Sequence, residues 1–303
     1  MKSAIFGHVQ FAAFQKKATS HFDGWRTAAT RRLTAFDKDS HPKVLIATIA
    51  EELLAAFHSA PLLDGYDIYQ HLMDYWAESM QDDAYLITAD GWVAKPVRIV
   101  ETDKKGRAKD KGWTCELIPK PLIVARYFAN EQAALDAKQA ELESTIASLA
   151  ELVEENGGEE GFLGALDKIA KAEVNARLKE IKGDKEAKDE AAVLKRWLEL
   201  SEHETTLKRT VKDQDAALDS LAYQKYPALT EAEIKTLVID DKWMARLAAA
   251  VQGELDRVSQ TLTGRIRELA ERYAMPLPAL VDEVATLAAR VDEHLKQMGA
   301  VWK

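Results

Sequence analysis

His71 and Asp74 are the nearest approach in this chain to a poised general base, since a carboxylate one helical turn on can orient an imidazole ring. The other histidines, His8, His21, His41, His58, His203 and His294, are scattered, and none pairs at the HExxH spacing that holds zinc. A packed or solvent-facing ring explains His71 equally well and is the plainer expectation. Adjacent carboxylates occur at Asp82-Asp83 and Asp240-Asp241. General acid–base work needs two carboxylates converging on one cleft. Neighbouring acids at a helix end more often cap it, favoured by exposed amides and the dipole, so capping is expected for both pairs. Trp92 and Trp113 could stack on a nucleic-acid base, although packing a small sheet suffices to explain them. Lys104, Lys105, Arg107, Lys109 and Lys111 form a basic cluster that could touch phosphate, diluted by Asp103 and Asp110 and equally readable as a solvated loop.

The chemistry that is missing narrows the function more than these candidates do. A nucleotide or methyl-donor site of the doubly wound type needs a strand followed by closely spaced glycines, so that backbone amides can approach the ligand. The only glycine cluster is EENGGEEG, whose carboxylates would repel phosphate. There is no GxxxxGK[ST] loop, and no Asn-Pro-Pro-aromatic segment of the kind that grips a flipped base and its exocyclic amine. No residue is therefore assigned to catalysis, to a cofactor or to a metal. Cys115 is the single cysteine, which excludes an intrachain disulfide and a four-cysteine zinc site. That usage, the lack of a secretory leader and the lack of about 18 consecutive apolar residues point to a soluble, cytoplasmic chain.

The elements that would position any site are helical. Hydrophobic residues make up 47% of the 303 and charged residues 30%, while glycine (14) and proline (8) are too sparse for a turn-rich β design. A formal charge of −9 argues against a surface that wraps nucleic acid on all sides. Residues 1–83 read as a helical domain: Phe11, Phe14, Ala18, Phe22 and Trp25 share one face, His41-Pro42 marks a boundary, and Leu45 to Phe57 and Ile68 to Met80 supply two more helices. Residues 84–121 change grammar. YLITADGW has β-type character, and VRIVE and WTCELI read as a β-hairpin with a long basic tip. A helix from Pro121 is expected to run on into residues 122–226, a long antiparallel helical hairpin. Its arms carry Leu135, Leu142 and Leu149, and Trp197, Leu200, Leu207, Val211, Leu218 and Leu221. Between the arms, a glycine break precedes a short helix over about 163–181. Thr230 and Glu233 form a capping box that opens residues 227–303, where two amphipathic helices follow. The fold class expected is mainly α, with a small β-hairpin insertion.

Several stretches carry a resemblance: DGYDIYQHLMDYWAESMQDDAYLI (64–87), KGWTCELIPKPLIVARYFANEQAALDA (111–137), ARLKEIKGDKEAKDEAAVLKRWL (176–198), YPALTEAEIKTLVIDDKW (226–243) and RIRELAERYAMPLPAL (265–280). Together they resemble the C-terminal half of modification subunits of type I restriction–modification systems, and the ending QMGAVWK looks like that family's terminus. The resemblance implies an N6-adenine DNA methyltransferase that uses S-adenosylmethionine. It implies a specificity subunit, a second modification subunit and a restriction subunit as partners, with DNA met through the assembled complex. The family's donor-binding and Asn-Pro-Pro-aromatic motifs lie upstream of the matching region and are absent here. A C-terminal fragment or a split gene is implied, inactive alone, whose helices dock on helical spacers of the specificity subunit.

The residues support such docking independently. The two C-terminal helices add more apolar stripe than one helix pair requires, and each buried leucine contributes about 1.5–3 kcal/mol. Val251, Leu255, Val258, Leu262 and Leu269 are the expected partner interface. The rival readings are a standalone coiled-coil adaptor with no role in methylation and an accessory module that touches DNA through Lys104, Lys105, Arg107, Lys109 and Lys111.

Overall fold

The computed structural model describes residues 8–102, 106, 108–158, 161–164, 166, 168–184 and 186–299. Helix accounts for 77% of it, so the chain is mainly α. Along the chain run α1 (Val9–Thr34), α2 (Pro42–Phe57), α3 (Gly65–Tyr75), a π-helical turn (Trp76–Met80) and α4 (Gln81–Asp90). Strands β1 (Val97–Thr102) and β2 (Ala108–Thr114) precede α5 (Lys120–Tyr127), α6 (Ala129–Asn156), α7 (Lys171–Glu180) and α8 (Lys188–Lys225). A short α9 (Glu231–Lys235) passes through a second π-helical stretch (Thr236–Met244) into α10 (Ala245–Arg272), and α11 (Leu277–Gln297) follows.

These elements form two compact units, Met1–Ala89 with Trp243–Lys303, and Asp90–Lys242. The sequence was read above as four consecutive segments; contacts instead return α10 to the N-terminal helices.

In the first unit α1 buries Phe11, Ala18, Phe22, Trp25, Ala29 and Leu33 at helical spacing. Its Trp25 indole donates to the Ile49 carbonyl of α2 at 2.9 Å. Pro42 opens α2, where its missing N–H is no loss, and Asp64 caps α3 by accepting from the Tyr66 amide at 2.9 Å. The YLITADGW segment is helical, contrary to its β-type composition. Ile68, Leu72, Tyr75, Trp76, Met80, Ala84 and Ile87 continue one buried stripe through the π turn, and that burial outweighs local β propensity. The N-terminal half of α10 packs on α3 and α1 through Leu247, Val251 and Leu255.

The second unit is built on the antiparallel pairing of α6 with α8. Leu135, Trp197, Leu200, Leu207 and Leu218 are buried, Leu142, Leu149 and Val211 half-buried, and Leu221 exposed. The two seams therefore fill each other. Beyond the end of α6, Leu163, Val174, Ile181, Leu194 and Trp197 make a separate small core. Gly161 and Gly164 are required there, because any side chain would collide with the backbone of Asn156 and Gly158. Leu163 lies in this turn rather than in a helix, so α7 is shorter than the spacing suggests. The chain also breaks at Phe128 (φ −132°, ψ 32°), which separates α5 from α6 where a continuous helix was expected.

The hairpin is present but displaced. β2 takes in the charged residues expected at the tip, while Cys115, Leu117 and Ile118 leave the ladder and are buried. Tyr226 donates to the Ile118 carbonyl at 2.6 Å, which pins that segment. Burial pushes the Cys115 thiol up, away from the reactive thiolate.

The capping box opens α9 as read from the sequence. Glu233 accepts from the Thr230 amide at 2.8 Å, and from Thr230 Oγ1, Tyr127 Oη and Lys225 Nζ. These partners hold its carboxyl at about 2, against an ordinary 4.5. The unfolded chain binds that proton more tightly, so the group's contribution is complete above pH 4.5 and fades as pH falls towards 2. Urea midpoints measured between pH 7 and pH 3 should fall further for the wild type than for Glu233→Gln. Parallel decline in both proteins would contradict this account.

Candidate functional site

Ser259 and Thr263 mark where α10 stops being a core helix. Both are buried, and each hydroxyl bonds back to the carbonyl one turn earlier, Ser259 to Leu255 at 2.5 Å and Thr263 to Ser259 at 2.8 Å. Past Thr263 nothing on α10 is buried. Ile266, Leu269 and Tyr273 are exposed, Met275 follows in the connection, and α11 buries none of its residues. On α11, Leu277, Leu280, Val284, Leu287 and Val291 recur at alternating three- and four-residue spacing, and Val281 widens the stripe. That is a heptad seam with no helix on it.

The five interface residues expected from sequence are split by the structure. Val251 and Leu255 lie in the core of their own unit and offer nothing to a partner. Val258 and Leu262 are half-buried, and Leu269 is exposed. The docking face is thus shifted towards the C-terminus, onto α11, whose residues were missed although their heptad spacing was readable.

Polar bonds hold the base of α10 in place. Glu254 accepts from Arg257 at 2.6 Å and pairs with His71 at 3.0 Å, and Arg257 also reaches Asp67 at 2.9 Å. Burial pushes the Glu254 carboxyl up, but the bonds from His71 and Arg257 outweigh it and hold the group below its ordinary value. His71 is therefore a tether between α3 and α10, while Asp74 accepts from Gln70 at 2.6 Å.

The remaining chemical candidates resolve into structural roles. Asp83 is no cap: it sits inside a continuous helix, buried, and accepts from the Trp243 indole at 2.8 Å. Asp241 pairs with Arg126 at 2.8 Å. Trp92 is buried beneath Lys235, whose ammonium lies 5.6 Å from the ring. Trp113 donates to Asp219 at 3.0 Å and packs edge-on against Tyr223 and Tyr226. Burial raises the Asp219 carboxyl, but the bonds from Lys120 and Trp113 more than reverse this. Lys109 and Lys111 are exposed on β2, and Lys111 pairs with Glu101 at 3.1 Å. Lys104, Lys105 and Arg107 lie outside the described residues. Among the described residues no cluster of histidine, cysteine or carboxylate could hold a metal ion, and no helix is long and apolar enough to cross a membrane.

Comparison with known proteins finds no matching family model, no matching curated protein and no matching solved structure.

Asp83 gives a direct check on the structural assignment. Asp83→Ala removes the carboxylate to which a buried indole donates, and is expected to lower stability by about 1–3 kcal/mol in urea denaturation. Asp82→Ala, at an exposed neighbour, should stay within about 0.5 kcal/mol. Equal effects at the two positions would remove the distinction drawn here.

Proposed function

We propose that this chain is the assembly region of the modification subunit of a type I restriction–modification system. In this role it docks a catalytic half onto the specificity subunit for N6-adenine methylation of DNA. The observation that carries the reading is α11, a 21-residue amphipathic helix that buries nothing. Isolated helices are marginal in water, and most helical stability in proteins comes from packing an apolar face. A helix of this composition is built to be covered.

The size of the face suits a stable partner. Six apolar side chains of α11, from Leu277 to Val291, stand exposed, and Ile266 and Leu269 on α10 extend the strip. At about 1.5–3 kcal/mol each, their burial is of the order of 10 kcal/mol, enough to offset the freedom lost on association. A stripe widened by Val281 beside Leu280 fits between two partner helices better than against one. Paired helical spacers of a specificity subunit have that form. The resemblance of residues 64–87, 111–137, 176–198, 226–243 and 265–280 to modification subunits names the partner class. Under this reading S-adenosylmethionine and the base-gripping motif belong to the catalytic half, and the second modification subunit, the restriction subunit and DNA are met in the assembled complex.

Co-purification with the cognate specificity subunit tests the proposal. Val284→Asp together with Leu287→Glu should abolish capture while leaving the melting temperature of the free chain within about 2 °C, since neither side chain is buried. Leu255→Asp, in the core, should instead unfold the first unit. Capture that survives the α11 pair would refute the docking role, and a standalone adaptor would then be the better description.

A further inference from the structure

A hole of about 440 Å3 opens where the buried face of α10 ends. Phe11 and Phe14 of α1 form one wall, Leu262 and Ile266 of α10 the other, with His8 and Leu62 at the rim. The walls have a particular spacing. Phe11 and Phe14 are three residues apart on one helix, and Leu262 and Ile266 four apart on the next. Rows of this kind frame the holes that receive a side chain from a third helix. The hole also leads onto the uncovered strip, because Ile266 belongs to both and Leu269 follows one turn on. A helix lying along that strip carries its own side chains past the opening.

Leu62 is the second observation. Among the described residues it is the one non-glycine with positive φ, at 63°. Branched L-residues rarely take the left-handed region, where the side chain crowds the following carbonyl. Glycine would sit there unstrained. Yet the leucine side chain, 64% exposed, gains little from packing within the chain. Strained positions of this kind collect at ligand clamps, where an occupant supplies the missing contacts.

We infer that the hole receives one large apolar side chain, leucine, methionine or aromatic, from the partner helix that covers the α10–α11 strip, with Leu62 clamping it from the rim. This rests on the docking role proposed above and adds its anchor point. A pocket filled by one desolvated side chain is where binding energy concentrates in helix interfaces, so the anchor governs dissociation more than encounter.

Binding of the full chain to the purified cognate specificity subunit, followed by biolayer interferometry, separates the two ideas. Leu62→Gly deletes the clamp and relieves the backbone, so the free chain should melt at the same temperature or higher while affinity falls about tenfold or more. Ile266→Ala, on the floor, should weaken binding similarly, chiefly through faster dissociation. Leu287→Glu lies outside the hole and reports on docking itself. If Leu287→Glu abolishes binding while Leu62→Gly and Ile266→Ala bind as the wild type does, the anchor is overturned and the docking face stands. If Leu287→Glu binds normally, or the wild type fails to bind, the docking role falls and the anchor with it. Sedimentation of the chain alone is the second arm: self-association abolished by Leu62→Gly would give the hole to another copy of this chain and overturn the inference.

Discussion

An amphipathic helix is stable only when its apolar stripe is covered, and that constraint organises this protein from end to end. In the second unit it is met within the chain, because α6 and α8 carry complementary seams and close on each other. In the first unit α1, α2, α3 and the base of α10 share one core. The same stripe on α10 then continues past the last helix able to cover it, and α11 has no helix on it at all. The boundary at Ser259 and Thr263 is gradual in sequence and abrupt in burial. A buried interior position gives way within two turns to one that only another molecule can fill.

The aromatic residues explain why no reaction centre emerges. Each large side chain with a polar atom satisfies it inside its own unit: Trp25 on the Ile49 carbonyl, Trp243 on Asp83, Trp113 on Asp219, Tyr226 on the Ile118 carbonyl and Tyr127 on Glu233. Buried indoles and phenols need such partners. The carboxylates that could have served as acids or bases are engaged as their acceptors or in ion pairs with arginine. A residue committed to fixing a helix crossing has no freedom left for a substrate. The polar inventory is consistent with a scaffold, whose bonds are static.

How far the fold could be read depended on the range of the forces involved. Helix spacing, the Pro42 boundary, the Thr230–Glu233 box and the pairing of two leucine arms were legible, because each is written within a few turns of chain. The YLITADGW segment misled because tertiary burial of Ala84 and Ile87 outweighs local preference. WTCELI misled because Cys115 and Ile118 are held by Tyr226, more than a hundred residues away, which no local pattern announces. The interface residues were half legible. Periodicity identified the stripe on α10, but whether Val251 or Leu269 faces the core depends on where α3 and α1 end.

The π-helical turn at Trp76–Met80 makes the first unit intolerant of a particular kind of change. An α-helix advances 100° per residue, and a π turn holds one residue more than its α equivalent. Losing any single residue there would relax the turn to ordinary α geometry without breaking the rod. Everything beyond it would then be swung about a quarter-turn against α3, carrying Ala84 and Ile87 off the core and Asp83 away from the indole it meets. Point substitutions in this segment test side chains one at a time, whereas a one-codon deletion would scramble a whole face.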